Sequence, residues 1–292
     1  MKKNWTRTLL SAVIIATAGF GLGGCEDKPV LAPEKTDLKA STPKAPDAVK
    51  LAIDKALSKV EFMMEAPSEK IRGRASGTME GEIQVDPADL RKTTGLITVD
   101  ISDIELFQTV AGEDGKFGEE KKSDLQNTHA RAWLEISPDA PADVRAKNAK
   151  TQFAIRKVEV TGEPDLMKLT GAERKVRLKA TGEFLLHQRA SEKTAELEAT
   201  FKFDGDRPVS VGVKTVKPFP IGLAEHDVHP RESFGKLAQK TLDLLAPKVA
   251  KEALVSLEFN AALVPAGQNA PAGAATGKGA PASAVPAKDP PK

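Results

Sequence analysis

His226 and His229 are the residues of this sequence best placed to do metal chemistry. The run Glu225-His226-Asp227-Val228-His229 offers two imidazoles and two carboxylates, a donor set that zinc accepts. The spacing is not the i, i+4 pair of a helical site, and Pro220 and Pro230 mark the region as loop. A surface pair of loop histidines accounts for the same residues, so no metal ligand and no cofactor is assigned. His129 and His187 stand alone and read as structural. Residues 73–77, Gly-Arg-Ala-Ser-Gly, fall one place off the GxSxG nucleophile turn. Carboxylates are plentiful, but on outward strand faces they are solvated charge, and their spacing nominates no catalytic pair. Catalysis is therefore not expected; a metal-dependent enzyme using His226 and His229 is kept as an alternative.

Cys25 is the single cysteine, which excludes an internal disulfide and a Cys-based zinc or iron–sulfur site. Lys2, Lys3 and Arg7 precede an apolar run from Leu9 to Gly21, too short and wrongly flanked for a spanning helix. The run ends in Leu22-Gly23-Gly24-Cys25, which resembles the lipobox of bacterial lipoproteins. The resemblance implies a signal peptide over 1–24 and lipidation of Cys25, with more than one acyl chain for stable anchoring. Residues 19–24 also fit GxGxxG, but no strand precedes them and no helix follows, so a dinucleotide site is rejected. The expected location is the bacterial envelope, lipid-anchored and facing the periplasm. Glu26 and Asp27 leave the choice of inner or outer membrane open.

Two further segments lack apolar periodicity. Residues 25–47, rich in Pro, Lys, Ala and Asp, read as a flexible tether. Residues 264–292 contain 9 Ala, 6 Pro and 4 Gly in 29 positions, too little apolar surface to offset chain entropy, and read as a disordered tail. What lies between, 48–263, is enough for one sizeable domain. Removing the signal takes away 3 of the 43 basic residues and leaves 40 against 41 acidic ones, a net charge near −1. With no run of Lys and Arg in the body, nucleic acid is not an expected partner.

The body must position any site with strands. Ala195, Leu197, Ala199, Phe201 and Phe203 alternate with Thr194, Glu196, Glu198, Thr200 and Lys202. Val176, Leu178, Ala180, Phe184 and Leu186 form a second apolar row. Further rows are Val60, Phe62, Met64; Met79, Ile83, Val85; Ile97, Val99, Ile101; Val209, Val211, Val213; and Val255, Leu257, Phe259, Ala261, Leu263. Phe153 and Ile155 change parity to Val158 and Val160, which predicts a bulge near Arg156-Lys157. One apolar and one wet face predicts antiparallel strands around a single interior, and lengths near ten residues suit a barrel or deep sandwich. Hairpin turns are expected at 204–206 and 188–190. Helices are expected over 234–245, with Pro247 ending or kinking it, over 141–147, and over 127–134 with Asn127 or Thr128 as cap.

The order of these pieces resembles the YceI family, periplasmic and secreted bacterial proteins. Leu51-Ala52-Ile53-Asp54 and Ser58-Lys59-Val60-Glu61-Phe62 are similar to its first hairpin. Gly73 with residues 77–86 (GTMEGEIQVD), Asp89-Leu90 and residues 95–101 (GLITVDI) are similar to the strands that follow. Phe153 sits where the family has the phenylalanine of its central strand. Residues 182–187 (GEFLLH) with Lys193 resemble a later hairpin, although Gln188 replaces its turn glycine. Residues 127–134 follow the family pattern only loosely. The resemblance implies an extended, lipocalin-like antiparallel barrel of about eight strands that holds a long isoprenoid or other lipid. The expected fold is therefore all-β with short helices.

The expected cavity lining is Phe62, Ile83, Val99, Phe153, Leu178, Ala180, Phe184, Leu186, Leu197, Ala199, Phe201 and Phe259. Small residues on the inward rows, Ala180, Gly182, Ala195 and Ala199, favour an open interior, because a barrel of this size otherwise fills with its own side chains. The expected function is non-enzymatic binding, sequestration or transport of a long apolar lipid, with the membrane met through Cys25. A structural or interaction lipoprotein with a filled barrel is the alternative.

Overall fold

The computed structural model describes residues 30–230 and 250–263. It is an antiparallel barrel in which eight long strands follow one another around the wall. The first three are each bent into two pieces. β1 (Val49–Ile53) continues into β2 (Lys59–Ala66), β3 (Glu69–Ser76) into β4 (Met79–Val85), and β5 (Thr94–Asp100) into β6 (Glu105–Val110). A two-residue strand, β7 (Lys121–Lys122), pairs β6. Then come β8 (Lys150–Thr161), β9 (Glu173–Leu186), β10 (Arg189–Asp204), β11 (Arg207–Thr215) continuing into β12 (Phe219–Gly222), and β13 (Glu252–Leu263). β13 pairs β11 and β12 on one edge and β1 and β2 on the other, which closes the barrel.

The alternation in sequence is what closes the wall. Ala195, Ala199 and Phe201 face inward and are buried, while Glu196 and Glu198 face out among lysines. Glu196 lies 3.7 Å from Lys179 and 3.0 Å from Lys217, and these ammonium groups draw its carboxyl below the usual range. Such exposed pairs keep the outer face wet and add little stability. The parity change on β8 is a bulge between Ile155 and Lys157, as the sequence predicts. Two glycines let the wall bend inward. A Cβ on Gly73 would lie 2.1 Å from the ring of Phe62, its cross-strand partner, and one on Gly182 would lie 2.4 Å from the Ala154 carbonyl oxygen.

Successive strands run in opposite directions, so the connections sort to two ends. The far end carries residues 86–93, 162–172 and 205–206; the near end carries 67–68, 111–149, 187–188, 223–230 and 250–251. The far end is a floor. Its two longer loops hydrogen-bond to each other, Leu90 N–H to Pro164 carbonyl (3.0 Å) and Leu166 N–H to Pro87 carbonyl (2.8 Å). Leu90 and Leu166 are buried against the core.

The near end carries the helices, α1 (Asp124–Trp133) and α2 (Ala142–Asn148). α2 matches its expected position. α1 begins three residues earlier than the sequence suggests, because Ser123 is the cap, its Oγ accepting from Gln126 N–H at 3.3 Å. Asn127 is buried and its Oδ1 instead accepts from Leu106 N–H at 2.8 Å, tying the helix to β6. The helix expected over 234–245 and the tail over 264–292 lie outside the described residues.

The tether expected over 25–47 is different. From Ala32 onward it is a strap laid on the outside of the barrel. Leu38 is buried beside Ala154, Leu185 and Ala190, and its N–H donates to Gln152 Oε1 at 2.7 Å. Arg156 donates to the Lys39 carbonyl and the Ser41 hydroxyl, and Lys35 pairs with Glu183. A single leucine, placed over a patch of small residues, holds a segment whose composition alone reads as loose.

Candidate ligand cavity

The inward rows do not fill the barrel. They enclose a cavity of about 210 Å³, lined from Leu90 and Thr93 toward the floor to Ala130, Trp133, Leu134, Leu223 and Val228 at the near end. Ala180 and Ala195 are cross-strand partners, and Ala199 lies four residues beyond on β10; their short side chains leave the room that Phe153, Phe184 and Phe201 do not take. All twelve residues named from the sequence lie on this lining: Phe62, Ile83, Val99, Phe153, Leu178, Ala180, Phe184, Leu186, Leu197, Ala199, Phe201 and Phe259. The sequence missed the residues that seal the ends, because Leu90, Trp133, Leu223 and Val228 come from loops and a helix with no strand alternation. Apart from the Trp133 indole, Thr93 and Thr151 are the polar side chains on the lining; Gln152 borders it too, but its amide faces Leu38 and Thr98 on the outside.

The near-end cap is two pieces, the end of α1 and the segment 223–228. Both are held by the β9–β10 turn. That turn is His187-Gln188, one residue earlier than expected, with Leu186 paired to Arg189. Both residues have positive φ, 50° and 56°, as a two-residue type I′ hairpin requires. This conformation is costly for residues other than glycine, and both side chains are occupied in a way glycine could not match. His187 Nε2 lies 3.0 Å from Glu135 Oε2, just past α1, and Nδ1 lies 3.2 Å from the His226 carbonyl oxygen. Gln188 Nε2 donates to Asn148 Oδ1 at 2.8 Å, at the end of α2. The departure from glycine at 188 thus has a structural reason.

The histidines nominated for metal do not share a site. His226 is fully buried; its Nδ1 faces the Arg189 carbonyl (2.9 Å), and its Nε2 lies 3.2 Å from both Ser191 Oγ and Glu225 Oε1. His229 is half exposed and pairs with Asp227 at 3.0 Å. No group of three or more His, Cys, Asp or Glu side chains among the described residues is arranged to hold a metal ion. Burial pushes the His226 imidazole below its usual pKa, so it favours the neutral form, with Nδ1 donating to the carbonyl. Burial opposes the Glu225 carboxylate, but the Lys193 ammonium outweighs it and draws the carboxyl below its usual range. His226 also meets the Phe184 ring edge-on, 5.5 Å between centroids. With its Nδ1 on a backbone carbonyl rather than a carboxylate, the Ser191–His226 pair lacks the orienting acid of a catalytic triad. Its observed contacts join Ser191, Glu225 and the β10 backbone around the cap.

No family model matches the chain, and no curated protein matches it. Among solved structures, a polyisoprenoid binding domain from Saccharophagus degradans, implicated in plant cell wall breakdown, is similar to it. The match has a TM-score of 0.44 at 13% identity, covering 74% of this chain and 99% of that one.

Proposed function

We propose that this protein binds a long apolar lipid, of isoprenoid type, inside its barrel, without catalysis, and carries or shields it in the bacterial envelope while anchored through Cys25. The observation that carries the reading is the apolar cavity along the barrel axis. An empty void of that size would cost on the order of 5 kcal/mol at ~24 cal/mol per Å³, against a net domain stability of ~5–15 kcal/mol. A chain that fills it returns that cost. Each enclosed five-carbon unit contributes up to about 4 kcal/mol at ~0.8 kcal/mol per carbon, before the entropy of ordering the chain is subtracted. The isoprenoid choice rests on the resemblance of the strand pattern to the YceI family. The lipid anchor follows from Leu22-Gly23-Gly24-Cys25, and the envelope location follows from the anchor.

The test is extraction of the purified protein and mass spectrometry of the lipid, for the parent and for Phe201→Glu. Phe201 is buried on the lining, and a carboxylate there has no partner, a cost of several kcal/mol unless it takes up a proton. The expected result is a prenyl lipid in the parent and none in a variant that still shows a β-sheet circular dichroism spectrum. An empty parent together with an unfolded variant would leave the filled-barrel alternative in its place.

A further inference from the structure

The strap decides which end of the barrel an anchor can reach. Its first fixed residue is Ala32, whose N–H donates to the Glu225 carbonyl (2.8 Å) and whose carbonyl accepts from Arg189 (3.1 Å); Ala190 N–H donates to the Pro33 carbonyl (2.9 Å). All of these partners belong to the cap. The strap then passes Gln152 and Arg156 on β8 and enters β1 at Val49, on the side of the floor. Cys25 precedes Ala32 by seven residues, which span at most about 25 Å of extended chain. The 14 residues of β9, at ~3.3 Å each and a tilt of ~40°, put the floor some 35 Å from the cap. Acyl chains on Cys25 would therefore hold the cap end at a bilayer.

The apolar surface is distributed the same way. Eight large hydrophobic side chains are exposed among the described residues, and five of them, Val30, Leu31, Val110, Phe117 and Leu125, belong to the near end or to the start of the strap. Only Met167 belongs to the floor. Charge does not add to this: residues 111–149 hold eight acidic and six basic side chains, which gives no attraction to anionic lipid. We propose that the cap end is a bilayer-docking surface. The cavity then opens toward the membrane interface, and an apolar chain passes between bilayer and barrel beneath α1 and the segment 223–228. This rests on the lipid-anchor and cavity readings above.

The experiment uses the full-length protein in phosphatidylcholine vesicles whose acyl chains carry nitroxides. A bimane is attached at Asp139→Cys, between α1 and α2, or at Asp206→Cys, in the β10–β11 turn; both positions are exposed. Quenching at 139 is expected to exceed that at 206 by about threefold or more and to persist when salt shortens the screening length to ~3 Å. Equal or reversed quenching overturns the docking. In the triple variant Leu38→Ser, Arg156→Ala and Arg189→Ala, which removes the buried leucine and the arginine ties to Lys39, Ser41, Ala32 and Glu34, the contrast is expected to collapse while bound lipid and circular dichroism are unchanged. A contrast that survives there overturns the role of the strap. The mass of the N-terminal peptide reports on the anchor and extracted lipid on the cavity: an unacylated Cys25 removes this proposal with its premise, whereas an empty barrel that still shows the contrast sinks the cavity reading alone.

Discussion

The two ends of the barrel are closed by different physics. The floor is two short loops joined by reciprocal backbone hydrogen bonds, with Leu90 and Leu166 at 1% and 0% exposure beneath them. Arg174 adds a third tie, donating to the Leu166 carbonyl at 2.8 Å while its guanidinium lies 3.6 Å from the centre of the Phe203 ring. The cap is two separate pieces of chain joined through the His187 side chain, with Gln188 tying the same turn to α2 and the buried His226 alongside. Opening the floor would strand backbone groups and bare two leucines. Opening the cap breaks the His187 bonds to Glu135 and to the His226 carbonyl and bares Leu134, Leu223 and Val228. With the entrance proposed at the cap, the floor is the fixed base against which the cavity is built.

The largest effect is expected at the floor. Leu166→Ala removes a fully buried side chain under loops that cannot collapse freely, and should cost about 3 kcal/mol, read from urea unfolding midpoints. A loss below about 1 kcal/mol would mean that the floor yields as easily as the cap and would erase the contrast.

His187→Asn probes the cap. Asparagine tolerates the positive φ but is too short to replace both imidazole bonds. The expected stability loss is about 1–2 kcal/mol, smaller than at the floor, with faster exchange of a fluorescent prenyl lipid measured by stopped flow. Unchanged exchange with lowered stability would move the entrance away from this turn.

The smallest effect is a pH dependence from His226. Burial holds its folded pKa below the unfolded value, so its contribution to stability is complete above the ordinary histidine range. As pH falls below about 6.5 the unfolded chain takes up a proton that the folded one refuses, and up to ~1.4 kcal/mol is lost per pH unit until the folded pKa is reached. Urea midpoints between about pH 7.5 and 5.5 should therefore fall in the parent and flatten in His226→Gln. The Glu225 carboxylate, also depressed, loses its contribution only around pH 4 and below, so the two windows separate.

Much of this arrangement is local and was legible in the chain. Alternation along 176–186 and 195–203 assigns each side chain to a face because strand geometry has a period of two, and the parity change near Arg156 locates the bulge for the same reason. The cavity lining follows from those faces. The ends of the barrel are another matter. The strap docks because Leu38 meets Ala154, Leu185 and Ala190, residues from three neighbouring strands that pairing and register bring together. Asn127 reads as a cap from its type, yet the nearby Leu106 N–H claims it, and Ser123 starts the helix instead. The residues His226 and His229, three apart in sequence, go to different partners because the turn at Asp227, at φ 57°, sends one imidazole inward and leaves the other in solvent. Periodic hydrophobicity by itself determined the wall and its inner face. The tertiary structure alone decided how the ends are sealed, which end is held by side chains, and where the strap begins, since each depends on contacts between residues tens to more than a hundred positions apart in sequence.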